Sequence, residues 1–141
     1  MATKMKIAIG CDHAATELKK KIIEFLKVNK CEVEDLDTHG KYSVDYPDFG
    51  RSAALAMAEG RADRGVLIYG NGIGNSIVTN KYPGIRATLC YDLFTARMSR
   101  MHNDSNILVL GSLVNRRTAC AVHHRDLVDH RVCTRQTSEK A

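Results

Sequence analysis

The stretch Gly65-Val66-Leu67-Ile68-Tyr69 runs straight into Gly70-Asn71-Gly72-Ile73-Gly74, and this junction constrains the fold more than any other part of the chain. A short apolar run with β-branched members fits a strand buried on both faces. Glycine at every second position then permits backbone paths that other residues resist, and lets main-chain N–H groups approach a ligand. A helix pattern over 74–81 follows, broken by Pro83 and Gly84. Strand, glycine turn and helix in that order predict a parallel sheet with the turn at its carboxyl edge, where such sheets bind anions.

The rest of the chain repeats the alternation. Strands are predicted over 6–10, 31–37, 85–89 and 106–110, besides 65–69. Helices are predicted over 14–29, where Leu18, Ile22, Ile23 and Leu26 recur at helical spacing, and from Asp48 through Ala58, ended by Gly60. Two more are predicted over 92–101 and 114–128. Strands separated by helices of this length need right-handed crossovers. The prediction is a single doubly wound, Rossmann-like α/β domain over 1–141 with a five-stranded parallel sheet and a polar C-terminal tail from about residue 129.

Composition narrows the function. At 141 residues the chain can bury a core without disulfides or a metal. The start, Met1-Ala2-Thr3-Lys4-Met5, has no signal-peptide pattern, and no apolar run approaches the ~20 residues of a membrane span. A cytoplasmic protein without a membrane partner is expected. Cys11, Cys31, Cys90, Cys120 and Cys133 are odd in number and scattered, which fits free thiols in a reducing compartment. The net charge of +5 raises nucleic acid as a partner, yet the basic residues form no block, and Trp is absent. Much of the excess lies in Arg116, Arg117, Arg125, Arg131 and Arg135, which suit a small anion equally well. No nucleic-acid partner is expected. His123, His124 and His130 lack carboxylate or cysteine partners at ligand spacing, so no metal and no cofactor are predicted.

Several groups could carry chemistry. Asp12 and His13 follow the first strand at the ligand-binding edge, where Asp12 either faces a ligand or caps the next helix. Tyr46 precedes Pro47 in the loop after the second strand; it either holds a substrate hydroxyl or belongs to a turn. Gly70, Gly72 and Gly74 match neither a nucleotide P-loop nor a dinucleotide fingerprint, leaving a nest of N–H donors for a phosphate or an enolate oxygen. His102, near a helix C-terminus, is favoured as a cation and suits a proton donor; a capping histidine in an Asn-rich turn is the other reading. Arg131 and Arg135 either present paired guanidinium forks to a phosphate or lie in a solvated tail.

Taken in order, IAIGCDHA, SVDYPDF, ADRGVLIYGNGIGNSI, NKYPGIRATLCYD and ARMSRMHNDSNILVLGS resemble the ribose-5-phosphate isomerase B family, which includes the subunits of galactose-6-phosphate isomerase. The resemblance spans residues 6–111. It implies a homodimer or homotetramer with each active site shared between subunits. It also implies metal-free interconversion of an aldose phosphate and a ketose phosphate through a cis-enediolate, as in the pentose phosphate pathway. By position, His102 would open the furanose ring with Asp12 nearby, and Gly70, Gly72 and Gly74 would hold the enediolate oxygen. Tyr46 and Asn103 would orient hydroxyls, and His13 would join Arg131 and Arg135 on the phosphate.

The chain departs from that pattern at the base. Tyr69 stands where family members commonly carry the cysteine that moves the proton between C1 and C2, and Asn75 where another branch carries glutamate. Asn71 replaces the usual threonine or serine and cannot relay a proton as a hydroxyl can. For Tyr69 to serve, its pKa would have to fall by roughly two to three units from about 10, or about 3–4 kcal/mol. A second reading is therefore a catalytically weakened sugar-phosphate binder, or one subunit of a hetero-oligomeric isomerase. A third, a flavodoxin-like nucleotide or flavin binder, rests on the fold alone.

Overall fold

The strands form where apolar runs lack any polar face. Val66, Leu67 and Ile68 on one strand and Ile107, Leu108, Val109 and Leu110 on another are wholly buried. Each such side chain contributes about 1.5–3 kcal/mol relative to exposure. The computed structural model describes residues 4–37 and 48–113. Within them lie β1 (Lys6–Cys11), α1 (Thr16–Val28), β2 (Glu32–Asp35), α2 (Asp48–Ala58) and β3 (Arg64–Ile68), followed by α3 (Ile73–Thr79), β4 (Ala87–Leu89), α4 (Leu93–Met101) and β5 (Ile107–Leu110). A single 3-10 turn, His13–Ala15, leads into α1.

All neighbouring strand pairs are parallel, and the sheet order is β2-β1-β3-β5-β4. Ile22 and Leu26 of α1 and Ala96 of α4 cover one face, against Ile7, Ile9, Val66, Ile68, Leu108 and Leu110. On the other face Ala53 and Ala54 of α2 meet Leu67, Tyr69, Ile107 and Val109. The doubly wound five-stranded sheet is as the alternation predicts. Its order changes direction between β1 and β3, which opens a crevice at their carboxyl ends. The predicted last helix, Cys120 and Cys133 lie outside the described residues.

Element ends differ by at most two residues from the sequence reading. The helix expected over 14–29 opens instead as the 3-10 turn and becomes regular at Thr16. Ile85 belongs to a turn, its N–H donating to the Tyr82 carbonyl at 3.2 Å, so β4 starts at Ala87.

Candidate functional site

The crevice between β1 and β3 is built around Asp12 and the glycine loop. Asp12 makes no side-chain cap to the turn that follows it. Its Oδ2 instead accepts the Gly70 N–H at 2.8 Å and the Ser112 hydroxyl at 3.1 Å, while Oδ1 is buried with no hydrogen-bond partner among the described residues. This removes the capping reading of Asp12 and alters the one for Gly70. That N–H, expected to face an enediolate oxygen, is already held by a carboxylate. Among the described residues nothing accepts from the N–H groups of Gly72 and Gly74, which leaves them as the loop's available donors. His13 is exposed at the same edge.

The loop has one permitted path. Gly72 has φ +81°, and a Cβ there would lie 2.5 Å from Leu89 Cδ1 and 3.3 Å from the Leu110 carbonyl oxygen. Asn71 Oδ1 accepts the Ile73 N–H at 2.9 Å and so starts α3 as a short side-chain turn. Its carbonyl accepts the Tyr91 hydroxyl at 2.5 Å, and the Gly70 carbonyl accepts the Leu113 N–H at 2.9 Å. Asn71 is thus bound to its own loop. Asn75 lies wholly buried on α3, and among the described residues neither amide atom has a hydrogen-bond partner.

Tyr69 leaves the loop for the core. Only 2 % exposed, it shares with Leu67 the strand face that meets α2. Its hydroxyl reaches back to Gly10, where a Cβ would sit 3.1 Å away. Burial, and then the charge of Asp37, push the phenol well above its usual range. The downward shift that a phenolate base would need is opposite to this, so Tyr69 is a neutral phenol at physiological pH.

Burial, with Asp37 next, likewise pushes the Cys11 thiol up to about 12. A network missed by the sequence reading lies alongside. Lys19 Nζ sits 2.9 Å from Asp35 Oδ1 and 2.8 Å from Asp37 Oδ2, which also accepts the Cys11 N–H at 3.0 Å. Burial pulls the Lys19 ammonium down, but its bonds to Asp37 and Asp35 outweigh that and hold it above its usual value. The signal was available: Lys19 falls in register with the buried Ile22 and Leu26 of α1. Ser112 and Tyr91, which fasten Asp12 and the loop, carried no such signal.

His102 and Asn103 lie elsewhere. His102 ends α4, and both residues are exposed beside the amino ends of β4 and β5. They line an open hollow of about 550 Å³ with Asn80, Ile85, Arg86, Ala87, Thr88 and Ser105. The four residues of β5, ~13 Å of strand, separate that edge from the Asp12 crevice. Within one chain, therefore, His102 does not have Asp12 nearby, contrary to expectation. Tyr46, Arg131 and Arg135 lie outside the described residues.

Fold and site together define a doubly wound α/β protein with a glycine loop fastened to Asp12 at the carboxyl edge of its sheet. The family model for ribose/galactose isomerase matches residues 7–126. Ribose-5-phosphate isomerase B of Escherichia coli (strain K12) is 46% identical over 109 residues, covering 77% of this chain and 73% of that protein. Galactose-6-phosphate isomerase subunit LacB of Clostridium acetobutylicum is 41% identical over 110 residues, covering 78% of this chain and 64% of that one. The solved ribose-5-phosphate isomerase B of Clostridium thermocellum superposes with a TM-score of 0.71 at 55% identity, over 78% of this chain and 74% of that chain. The chain belongs to the ribose/galactose isomerase family. No helix among the described residues is long and apolar enough to cross a membrane.

Proposed function

We propose that the chain is an aldose–ketose isomerase that interconverts ribose 5-phosphate and ribulose 5-phosphate through a cis-enediolate, without a metal. The observation that carries this reading is the glycine loop held open by Asp12 at the switch point of the sheet, in a chain matched by the family over residues 7–126. His102 donates a proton to the ring oxygen, the anomeric hydroxyl releases its proton to water, and the sugar opens to the aldehyde. A base takes the C2 proton while the Gly72 and Gly74 N–H groups face O1 as it gains charge; the C2 hydroxyl then passes its proton to O1, and return of the base's proton to C1 leaves the C2 ketone. Asn103 and Tyr46 orient hydroxyls. His13, Arg131 and Arg135 hold the phosphate.

The site is shared between two copies of the chain. Support comes from the placement of His102 and Asn103 at the edge opposite Asp12, since one copy alone leaves the set unassembled. Ile73, Ile77, Tyr91 and Phe94 are exposed apolar side chains along α3 and the start of α4, a surface suited to a second copy. Cys11, Cys31 and Cys90 are free thiols, in keeping with a cytosolic enzyme.

A second reading has an observation of its own. Tyr69 is buried and neutral at the position where the family's base is expected, so the chain either turns over slowly or serves as one subunit of a mixed oligomer. Steady-state interconversion of ribose 5-phosphate and ribulose 5-phosphate in excess EDTA separates the two. Turnover of about 1–1000 per second supports the isomerase. No turnover, with sugar phosphate still raising the melting temperature, supports the weakened relative.

A further inference from the structure

The turn that carries His102 and Asn103 is clamped onto the segment before β4, and Arg86 is the centre of the clamp. The Arg86 Nε–H donates to the Asn103 carbonyl at 3.0 Å, and the Arg86 N–H donates to Asn106 Oδ1 at 2.8 Å. The Arg86 carbonyl accepts the Ser105 hydroxyl at 2.6 Å and the Asn106 N–H at 3.0 Å. Beside it, Asn106 Nδ2 donates to the Gly84 carbonyl at 2.9 Å, and Thr88 Oγ1 lies 2.7 Å from Ser105 Oγ. Between Asn103 and Ser105, Asp104 holds φ +48°, a left-handed conformation that a non-glycine residue keeps only where its surroundings over-determine it.

Most of these bonds fasten the turn beyond Asp104. The bond from Arg86 Nε alone reaches back across the strained residue to Asn103, the neighbour of His102. A guanidinium is well suited to this, because Nε is part of a rigid planar fork and fixing it also fixes the charge beside the hollow. From this geometry we infer that Arg86 is a positioning residue for His102 and Asn103, and that it acts through the Asn103 carbonyl and not by touching substrate. The inference rests on the shared-site reading above. Under that reading Arg86 belongs to the half of the site that this chain lends to its partner, together with His102 and apart from Asp12 and the glycine loop.

Arg86→Ala and Arg86→Lys are compared with the parent for folding, kcat and KM. A misplaced catalytic group of this kind lowers kcat about 100-fold with a smaller change in KM, at an unchanged melting temperature. Lysine keeps the charge but not the planar fork, so Arg86→Lys is expected to remain impaired. Rescue by Arg86→Lys would mean that the charge acts directly, and would overturn the inference.

Mixed oligomers made from differently tagged chains place the defect in one half-site. Arg86→Ala paired with Asp12→Ala leaves one intact site in each mixed dimer and is expected to recover about half the parent activity. Arg86→Ala paired with His102→Ala recovers none, because both lesions fall in the same half-site. Recovery with His102→Ala in place of Asp12→Ala overturns the inference. Failure of His102→Ala and Asp12→Ala to complement each other condemns the shared site itself.

Independently of turnover, the His102 ring resonances are expected to move and broaden in Arg86→Ala. Unchanged ring resonances overturn the inference even in an inactive parent.

Discussion

Replacing Tyr69 with cysteine exchanges a fully buried aromatic ring for a small thiol at the position where the family's base is expected, so it perturbs stability and chemistry at once. The ring packs among Ala53, Ala54, Leu67, Ile85, Ile107 and Val109. Truncating a buried aromatic costs about 3–5 kcal/mol, and the retained sulfur places this change near the lower end, about 3 kcal/mol. For a chain of this length that is a fall of about 10 °C in melting temperature. Activity is expected to move the other way. A positioned base contributes about 10²–10⁴-fold, but the new thiol meets the same burial and Asp37 charge that push Cys11 up to about 12. A gain of at least about tenfold in kcat is therefore expected, at the low end of what a base supplies. Tyr69→Phe is the control, since it keeps the ring and removes the hydroxyl. Urea unfolding and a coupled assay of ribulose 5-phosphate formation read both effects. If Tyr69→Cys is no faster than the parent, the missing-base account is wrong. If Tyr69→Phe abolishes turnover at an unchanged melting temperature, the phenol is the base despite its burial.

Further predictions concern the parts that hold the loop. Asp12→Ala removes a charge-assisted bond to the Gly70 N–H and is expected to lower the unfolding free energy by about 2 kcal/mol; an unchanged urea midpoint would show that the bond contributes nothing. Gly72→Ala drives a methyl against Leu89 at a positive φ. It is expected to cost at least about 2 kcal/mol and to abolish the thermal shift given by sugar phosphate, and a normal shift would contradict the loop's role as donor. Because the Cys11 pKa is raised on folding, its contribution to stability is complete below pH 9.0 and is lost as pH rises toward about 12. Cys11→Ala should therefore lose stability less steeply than the parent over that window, as denaturation at several alkaline pH values would reveal.

What the sequence revealed and what it concealed follow from the range of the interactions. The strand beginning at Gly65 is legible because β3 after Arg64 is buried throughout and carries no polar residue that would blur it. The inward direction of Tyr69 was left open, since at the end of a strand the side chain could equally swing out of the site or fill it; the structure places it in the core with Leu67. The order β2-β1-β3-β5-β4 was not, because it depends on pairings between distant segments. Asp12 could not be resolved between cap and site by local spacing, since its partners Gly70 and Ser112 lie 58 and 100 residues away. For the same reason the sequence set His102 beside Asp12: the matching motifs name the members of a site but not which copy of the chain supplies each one.

The central claim is proton transfer through an enediolate, and the most direct test is conversion of ribose 5-phosphate in D2O with excess EDTA, followed by NMR. The account predicts ribulose 5-phosphate carrying solvent deuterium at C1, because the proton removed from C2 passes through a base that exchanges with water. Product that acquires no deuterium even after many reversible turnovers would contradict the enediolate route, and no product at all would contradict the assignment as a working isomerase.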